Sequence, residues 1–174
     1  MKLKSHVCLY RHRGDACRVD LYEGDLSKPS SLDPVDALVV SAYPGDYSPT
    51  PNSLIGNLKK NAQVSVETLS AEKAYDHIAD YDWWLSRELN DDAVERTGAH
   101  RILCYEPADE SRLVSSHGFL AALISCANSV PEIRSIAMPV LLSGDRGGNR
   151  LAIMDALLKD LQRSIEQGVP LKEV

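Results

Sequence analysis

The stretch Asp36-Ala37-Leu38-Val39-Val40-Ser41-Ala42 decides the fold class of this chain. Its centre is a run of apolar residues, two of them β-branched, with no polar residue between them. A run of this kind predicts a strand that is covered on both faces, as in the sheet of an α/β protein. We therefore interpret residues 36–42 as a central strand.

Further strands are predicted on both sides of this one. Before it, the stretches 7–11 and 18–22 flank a turn-prone segment around Gly14, which predicts two short strands. After it, strands are predicted over 101–105 and over 135–142. The first of these stretches could equally be a frayed edge.

Helical segments separate the strands. Thr50 is predicted to cap a short helix with Pro51 at its first position. A broken helical period over 71–89 predicts a second helix, and clearer periods predict helices from Ser116 and over 151–165. Strands that alternate with helices predict an α/β domain whose parallel strands are joined by right-handed crossovers.

Two irregular loops follow predicted strands and are the candidate pocket walls. The first loop, residues 43–51, holds three prolines and a glycine in nine residues, which excludes a helix or an interior strand. The second loop is Ser143-Gly144-Asp145-Arg146-Gly147-Gly148-Asn149. In an open α/β sheet, ligands bind beyond the carboxyl ends of the strands, where both loops are expected.

The second loop leads into a helix capped near Asn149. Its glycines free backbone N–H groups at the positive end of that helix, which predicts a phosphate-binding point on an acidic chain. The alternative is an ordinary turn that needs glycine only for a positive φ. Similarly, Asp25 ends a predicted strand and can accept hydrogen bonds from an exocyclic amine or a ribose hydroxyl, or it can cap the turn toward Pro29.

Composition indicates one globular domain over residues 1–174. With 44% hydrophobic and 25% charged residues, a chain of this length can bury roughly 70% of its unfolded surface. The net charge of −6 lies entirely in segment 67–96, where nine acids oppose three bases. Because the rest is balanced, no basic field exists for a nucleic-acid backbone or a membrane surface, and neither partner is expected.

The cysteines Cys8, Cys17, Cys104 and Cys126 form no CxxC pair and lie in or beside apolar stretches. They are expected to be buried thiols rather than zinc ligands or a disulfide framework. The first residues contain no apolar core of a signal peptide, and no run approaches the roughly 18 apolar residues of a membrane span. We expect a cytoplasmic protein without a metal or a cofactor.

Several motifs, in this order, resemble the macrodomain family. Gly24-Asp25-Leu26, followed by the strand 36–42, is similar to the family's Gly-Asp-Ile/Leu turn and its Asp-Ala-Ile-Val strand. The stretch from Ser135 to Gly144 is similar to its Ser-Ile-Ala-Phe-Pro strand and Ser/Thr-Gly phosphate loop. The resemblance implies a three-layer α/β/α fold with a mixed, mostly parallel central sheet.

The ligand that this resemblance implies is ADP-ribose or a derivative. Asp25 would bind the adenine amine, and the second loop would wrap the diphosphate through its backbone amides. The candidate ligand-binding residues are Asp25, Leu26, Ser41, Ala42, Tyr43, Tyr47, Ser143, Gly144, Asp145, Arg146, Gly147, Gly148 and Asn149.

The chain departs from the family where the first loop begins. The family's Asn-Ala-Ala-Asn strand end aligns with Val40-Ser41-Ala42-Tyr43, so both asparagines are absent, and a glycine-rich loop becomes a proline-rich one. In macrodomain hydrolases, asparagine at this strand end often positions the distal ribose or a catalytic water. No catalytic residue is therefore assigned.

Aromatic and amide side chains leave alternatives open. Tyr43 and Tyr47 can stack on a base or a ribose, or they can pack the loop. Asn52 and Asn57 can contact a ligand or lie on the helix surface. The adjacent tryptophans Trp83 and Trp84 would point about 100° apart on a helix; core positions are expected for both, with a pocket rim or a partner surface as the alternative.

Taken together, these patterns indicate a binding or sensing module for an ADP-ribose-type nucleotide. Macrodomain-like receptors for such signals also occur in bacterial immune systems, so a nucleotide-signal sensor is one variant of this interpretation. The alternatives are a hydrolase of ADP-ribose linkages with the same fold, and a protein-interaction module without a nucleotide. A protein partner or an oligomer is left open.

Overall fold

A mixed sheet forms the centre of the fold. The chain is seen in a computed structural model that describes residues 1–11, 14–28, 34–108, 116–140 and 150–174, without the side chains of 116, 117 and 150. The strands of the sheet are β3 (Val35–Ser41), β4 (Lys73–His77), β5 (Trp83–Ser86), β6 (Ala99–Tyr105) and β7 (Ile136–Ala137). Their order across the sheet is β4-β5-β6-β3-β7.

All strands of this sheet except β5 run in the same direction. β3 pairs in parallel with β6 and with β7, whereas β5 is antiparallel to both of its neighbours, β4 and β6. The mixed, mostly parallel sheet that the sequence predicted is thereby confirmed.

The strand that decided the fold class is interior, between β6 and β7, and its residues alternate between two apolar clusters. Ala37 and Val39 belong to a first cluster on one side of the sheet, and Leu38 and Val40 to a second cluster on the other. All four are at most 1% exposed. The central strand with two covered faces is therefore confirmed.

Helices cover both faces of the sheet and complete three layers. They are α1 (Leu54–Asn57), a π-helical segment (Leu58–Ala62), α2 (Val66–Ser70), α3 (Ile78–Tyr81), α4 (Asp91–Thr97), α5 (Ser116–Ser129) and α6 (Arg150–Glu166). Leu123 of α5 and Leu161 of α6 enter the first cluster, while Ile55 of α1 and Val66 of α2 enter the second. Within the described residues, none of these helices has the length and apolar composition that crossing a bilayer requires.

The amino-terminal hairpin joins the sheet through the last residues of the chain. β1 (Lys2–Tyr10) pairs antiparallel with β2 (Ala16–Glu23). Glu173 then forms parallel bridges to Arg18 of β2 and to Ser135, next to β7. The tail 172–174 therefore lies between β2 and β7, and β2 runs in the same direction as β3 and β7.

The predicted helix over 71–89 is wrong, because this segment forms β4, α3 and β5. Asp82 ends α3 with a left-handed φ of 58°, and β5 follows directly. Trp83 and Trp84 are both fully buried, as expected, but in different clusters, since neighbouring residues of a strand point to opposite faces. That alternation explains the broken helical period.

Two further boundaries differ from the prediction. Ser53 rather than Thr50 caps α1, because its Oγ accepts from the Gly56 N–H at 2.9 Å. Up to residue 140, β7 covers only Ile136–Ala137 of the strand that was predicted over 135–142, and residues 141 and 142 lie outside the described part of the chain. Pro139, which has no N–H group to donate, follows shortly after.

Candidate functional site

The candidate site lies at the carboxyl edge of the sheet. Because β2, β3, β6 and β7 run in the same direction, their carboxyl ends meet at this edge. The first loop follows β3, and Asp25 follows β2. Asp25 and the first loop therefore lie at one edge, which is where the sequence placed the first of its two candidate pocket walls.

Asp25 is held by a turn of its own. Its Oδ1 accepts hydrogen bonds from the Ser27 N–H at 3.0 Å and from the Ser27 hydroxyl at 2.7 Å. Asn61 Nδ2 in turn donates to Ser27 Oγ at 2.8 Å. The turn role, one of the two alternatives for Asp25, is thereby confirmed, and the turn is fixed against the π-helical segment.

The second oxygen of Asp25 is the one that the turn does not use. The side chain of Asp25 is 46% exposed, and Oδ2 lies 4.0 Å from Lys28 Nζ. The hydrogen bonds from Ser27 lower the pKa of Asp25, so the carboxylate stays charged at neutral pH. Leu26, also predicted as a ligand residue, packs partly buried against the second cluster. Binding of an adenine amine by Asp25 stays a prediction.

The first loop begins with a tight turn at residues 43–46. The Asp46 N–H donates to the Tyr43 carbonyl at 3.0 Å. Pro44 and Gly45 occupy the central positions, and Gly45 has a φ of 68°, which a type II turn requires at its third residue. The turn leaves the Tyr43 side chain 53% exposed at the carboxyl edge.

Glu106 anchors this loop and is a site residue that the sequence reasoning missed. It directly follows β6, is 4% exposed, and accepts from the Gly45 N–H at 2.7 Å and from the Tyr47 hydroxyl at 2.5 Å. Its own N–H donates to the Asp82 carbonyl at 2.7 Å. An acid placed directly after a buried strand and before a proline was the signal that could have identified it.

Tyr47 serves as the second half of that anchor. Its ring packs edge-on against Trp84, with the centroids 5.7 Å apart and an interplanar angle of 86°. Burial, reinforced by the Glu106 carboxylate, raises the pKa of Tyr47 well above its usual range. Tyr47 therefore keeps its proton, donates a hydrogen bond to Glu106 and packs the loop, while a direct ligand contact stays a prediction.

The end of β3 offers few polar groups to a ligand. Val40 is fully buried and Ala42 is 8% exposed, and the Ala42 N–H donates to the Tyr105 carbonyl at 3.0 Å. Ser41 is exposed at the last position of the strand. Asn52 is exposed in the loop before α1, and Asn57 is half-buried at the end of α1.

The rest of the predicted site cannot be placed. The second loop, Ser143, Gly144, Asp145, Arg146, Gly147, Gly148 and Asn149, lies outside the described residues. Among the residues that are described, no group of three or more histidine, cysteine, aspartate or glutamate side chains is arranged to hold a metal ion.

Comparison with models of known protein families, and with curated protein sequences, gives no match. Solved structures do match. The Oceanobacillus iheyensis macrodomain with MES bound gives a TM-score of 0.61 at 11% identity, over 98% of this chain and 87% of that chain. The same macrodomain with ADP gives 0.60 at 11% identity and the same coverage. A point mutant of it gives 0.58 at 12% identity, over 100% and 86%.

The chain has the macrodomain fold. The three-layer α/β/α architecture that the motifs implied is thus confirmed over nearly the whole chain. At 11% identity the likeness concerns the fold, and it leaves the residues around the first loop to be judged on their own contacts. In this macrodomain fold, a proline-rich loop tied to a buried carboxylate stands at the end of β3.

Proposed function

We propose that this chain is a binding module for ADP-ribose or an ADP-ribose-derived nucleotide, and that it senses or recognises this ligand without hydrolysing it. A solved structure of the same fold is described with ADP, and it covers 98% of this chain. That likeness is the observation that carries the proposal. A receptor for nucleotide signals, as in bacterial immunity, is one form that such a module would take.

The carboxyl edge supports this proposal by the arrangement of its described parts. A charged, half-exposed carboxylate at Asp25 and the exposed ring of Tyr43 lie at the same edge, and the chain leaves β7 toward the second loop between them. The acceptor at Asp25 fits an exocyclic amine. The second loop, with its glycines, fits a diphosphate through backbone N–H groups.

A hydrolase is the alternative function with the same fold. It requires a group that positions or activates a water molecule. Tyr47 already donates its hydroxyl to Glu106, and Val40 and Ala42 carry no polar side-chain atom. These contacts favour the binding module.

Calorimetry with ADP-ribose, AMP and adenosine tests the proposal. We expect ADP-ribose to bind most tightly, because only it presents a diphosphate. Gly147→Glu would place a side chain and a negative charge in the second loop and should abolish binding while circular dichroism stays unchanged. Equal affinity for all three compounds, or no binding by any of them, would contradict the proposal.

A further inference from the structure

The backbone of the first loop has few hydrogen-bond donors left for a ligand. Proline at positions 44, 49 and 51 contributes no N–H group. Four other N–H groups bond within the protein: Gly45 to Glu106 Oε1, Asp46 to the Tyr43 carbonyl, Ser48 to Asp46 Oδ1, and Thr50 to the Ser48 carbonyl. In the described part of the chain, the Tyr47 amide is then the one backbone N–H group of 44–51 without an acceptor; the exposed hydroxyls of Ser48 and Thr50 are the remaining side-chain donors of this segment.

The charge of this loop is also unfavourable to an anion. Segment 43–58 contains no lysine or arginine. Glu106 is buried behind the turn with both carboxylate oxygens accepting hydrogen bonds. In front, Asp46 is exposed, and the hydrogen bonds from Ser48 lower its pKa, so that it remains charged. Two negative charges therefore flank a backbone that has almost no donors to offer.

The strand order indicates which part of the ligand this loop meets. Across the carboxyl edge, β2 with Asp25 comes first, β7 follows beyond the tail 172–174, and β3 with the first loop comes next. Under the proposed function, Asp25 binds the adenine and the chain after β7 binds the diphosphate. The first loop then faces the group that is attached beyond the second phosphate.

We propose that the first loop, held in place by Glu106, excludes phosphate from this outer part of the ligand. The module therefore selects an ADP-ribose-type nucleotide whose terminal group is uncharged over one that carries a further phosphate there. This inference rests on the proposed function and adds a ligand class to it. Glu106 acts as a positioning residue, since it holds the loop by two hydrogen bonds and adds a buried negative charge next to it.

The probes are ADP-ribose and its ester with a phosphate on the terminal ribose, measured by calorimetry at low salt. We expect the wild-type chain to bind ADP-ribose at least about 10-fold more tightly than the ester, because a dianion would be desolvated beside like charges and would find almost no free backbone N–H group. Salt at about 0.5 M should lower the ratio of the two affinities, since screening weakens the repulsion between the ester and the loop.

Two variants separate the charge of the anchor from its packing. Glu106→Gln keeps an acceptor for the Gly45 N–H but removes the negative charge, so the ratio should fall several-fold. Tyr47→Phe removes the hydroxyl at 2.5 Å but keeps the carboxylate, so the ratio should persist. Thermal unfolding of both variants without ligand reports any general loss of structure, which would weaken both ligands alike and leave their ratio unchanged.

The outcomes distinguish this inference from the function on which it rests. Wild-type protein that binds ADP-ribose and its phosphate ester equally well overturns the inference alone, as does a ratio that Glu106→Gln leaves unchanged. If neither compound binds the wild-type chain, the proposed function fails and the inference fails with it.

Discussion

Asp36 and Ser135 lie 99 positions apart in the sequence and are joined by reciprocal hydrogen bonds. Ser135 Oγ accepts from the Asp36 N–H at 3.0 Å and donates to Asp36 Oδ2 at 2.9 Å. The N–H groups of Arg134 and Ser135 donate to the same oxygen at 2.8 and 2.7 Å. This contact fixes the start of β3 beside the chain that enters β7.

Loss of the Asp36 carboxylate should therefore destabilise the fold. Asp36→Ala leaves three partly buried donors without an acceptor, and we expect the free energy of unfolding to fall by roughly 2–4 kcal/mol. Ser135→Ala should cost about 1 kcal/mol. Urea unfolding of the two single variants and the double variant gives the interaction free energy between the side chains. Strictly additive losses of stability would show that the two side chains act independently.

Gly56 is fixed by the close approach of the chain before α1. A Cβ atom at this position would lie 1.9 Å from the Thr50 carbonyl oxygen, which belongs to the backbone and cannot swing aside. Gly56→Ala should lower the free energy of unfolding by roughly 1–3 kcal/mol through overpacking. Asn57→Ala, one position later, is the control for helix propensity; a Gly56→Ala protein as stable as that control would disprove the clash.

Alkaline pH should destabilise the chain through its buried thiols. Burial raises the pKa of Cys17 from 9.0 to about 11 and that of Cys126 to about 12. The unfolded chain therefore loses these protons first, so stability present below pH 9 is lost as the pH rises toward 11–12.

Urea midpoints at several pH values between 7.5 and 10.5 measure this loss. Each thiol should account for roughly 1–2 kcal/mol at the upper end. Cys126→Ala lowers stability at every pH by leaving a small cavity, so the slope with pH is the informative quantity. It should be shallower than in the wild type, and an identical slope would rule out a contribution from Cys126.

The sequence identified those elements whose pattern is dictated by burial. The apolar run 36–42 is continuous because both faces of β3 are covered. The helix α6 was also found, although its predicted apolar period holds only in part: Leu161 and Ile165 are buried, whereas Leu151 and Leu158 are exposed. The helix predicted over 71–89 was wrong because burial in this segment follows three short elements rather than one helix. Two short strands around α3 mix a period of two with a period of 3.6, and their sum imitates a poor helix.

The candidate site was predictable only where its contacts are local. The Asp25 turn depends on Ser27, two positions away, and the alternatives for it could be stated from the sequence. Glu106 contacts Tyr47 and Gly45 from 59 and 61 positions away, and no local pattern encodes that pairing. The position of Glu106 after a strand and before a proline marks it in the sequence, but its two partners are known only once the fold brings β6 and the first loop together.

Asp25 can be tested for its two roles separately. Asp25→Ala should weaken ADP-ribose and AMP by about 10- to 150-fold, the equivalent of a charge-assisted hydrogen bond of roughly 1.5–3 kcal/mol. Asp25→Asn keeps an acceptor for Ser27, so it should retain the stability of the free protein while still losing affinity. Calorimetry and thermal unfolding give both quantities.

Asp92→Ala is the matched control for the charge change. Asp92 lies exposed in the first turn of α4. This helix leads into the amino end of β6, whereas Asp25 lies at the carboxyl edge of the sheet. The Asp92→Ala variant should leave nucleotide affinity unchanged. Unaltered affinity in Asp25→Asn, combined with unfolding of Asp25→Ala, would assign Asp25 to the turn alone.

The last prediction is that the module binds its ligand without turning it over. At the end of β3, where a macrodomain hydrolase would hold its water, Val40 is fully buried and Ala42 has no polar side-chain atom. The nearby hydroxyl of Tyr47 is committed to Glu106 at 2.5 Å. Val40, Ala42 and Tyr47 therefore supply no free group that could orient a water molecule or take its proton.

We therefore expect no release of ADP-ribose above background from proteins that carry it on acidic, serine or arginine side chains, even with enzyme and substrate in equal amounts. Release would be followed by chromatography, with binding to the same proteins measured in parallel, because a module that binds them but does not release ADP-ribose fits the proposal. Asp145, in the second loop, is the strongest remaining candidate for a base. Release that scales with protein concentration, disappears in Asp145→Ala and survives in Asp92→Ala would instead identify a hydrolase.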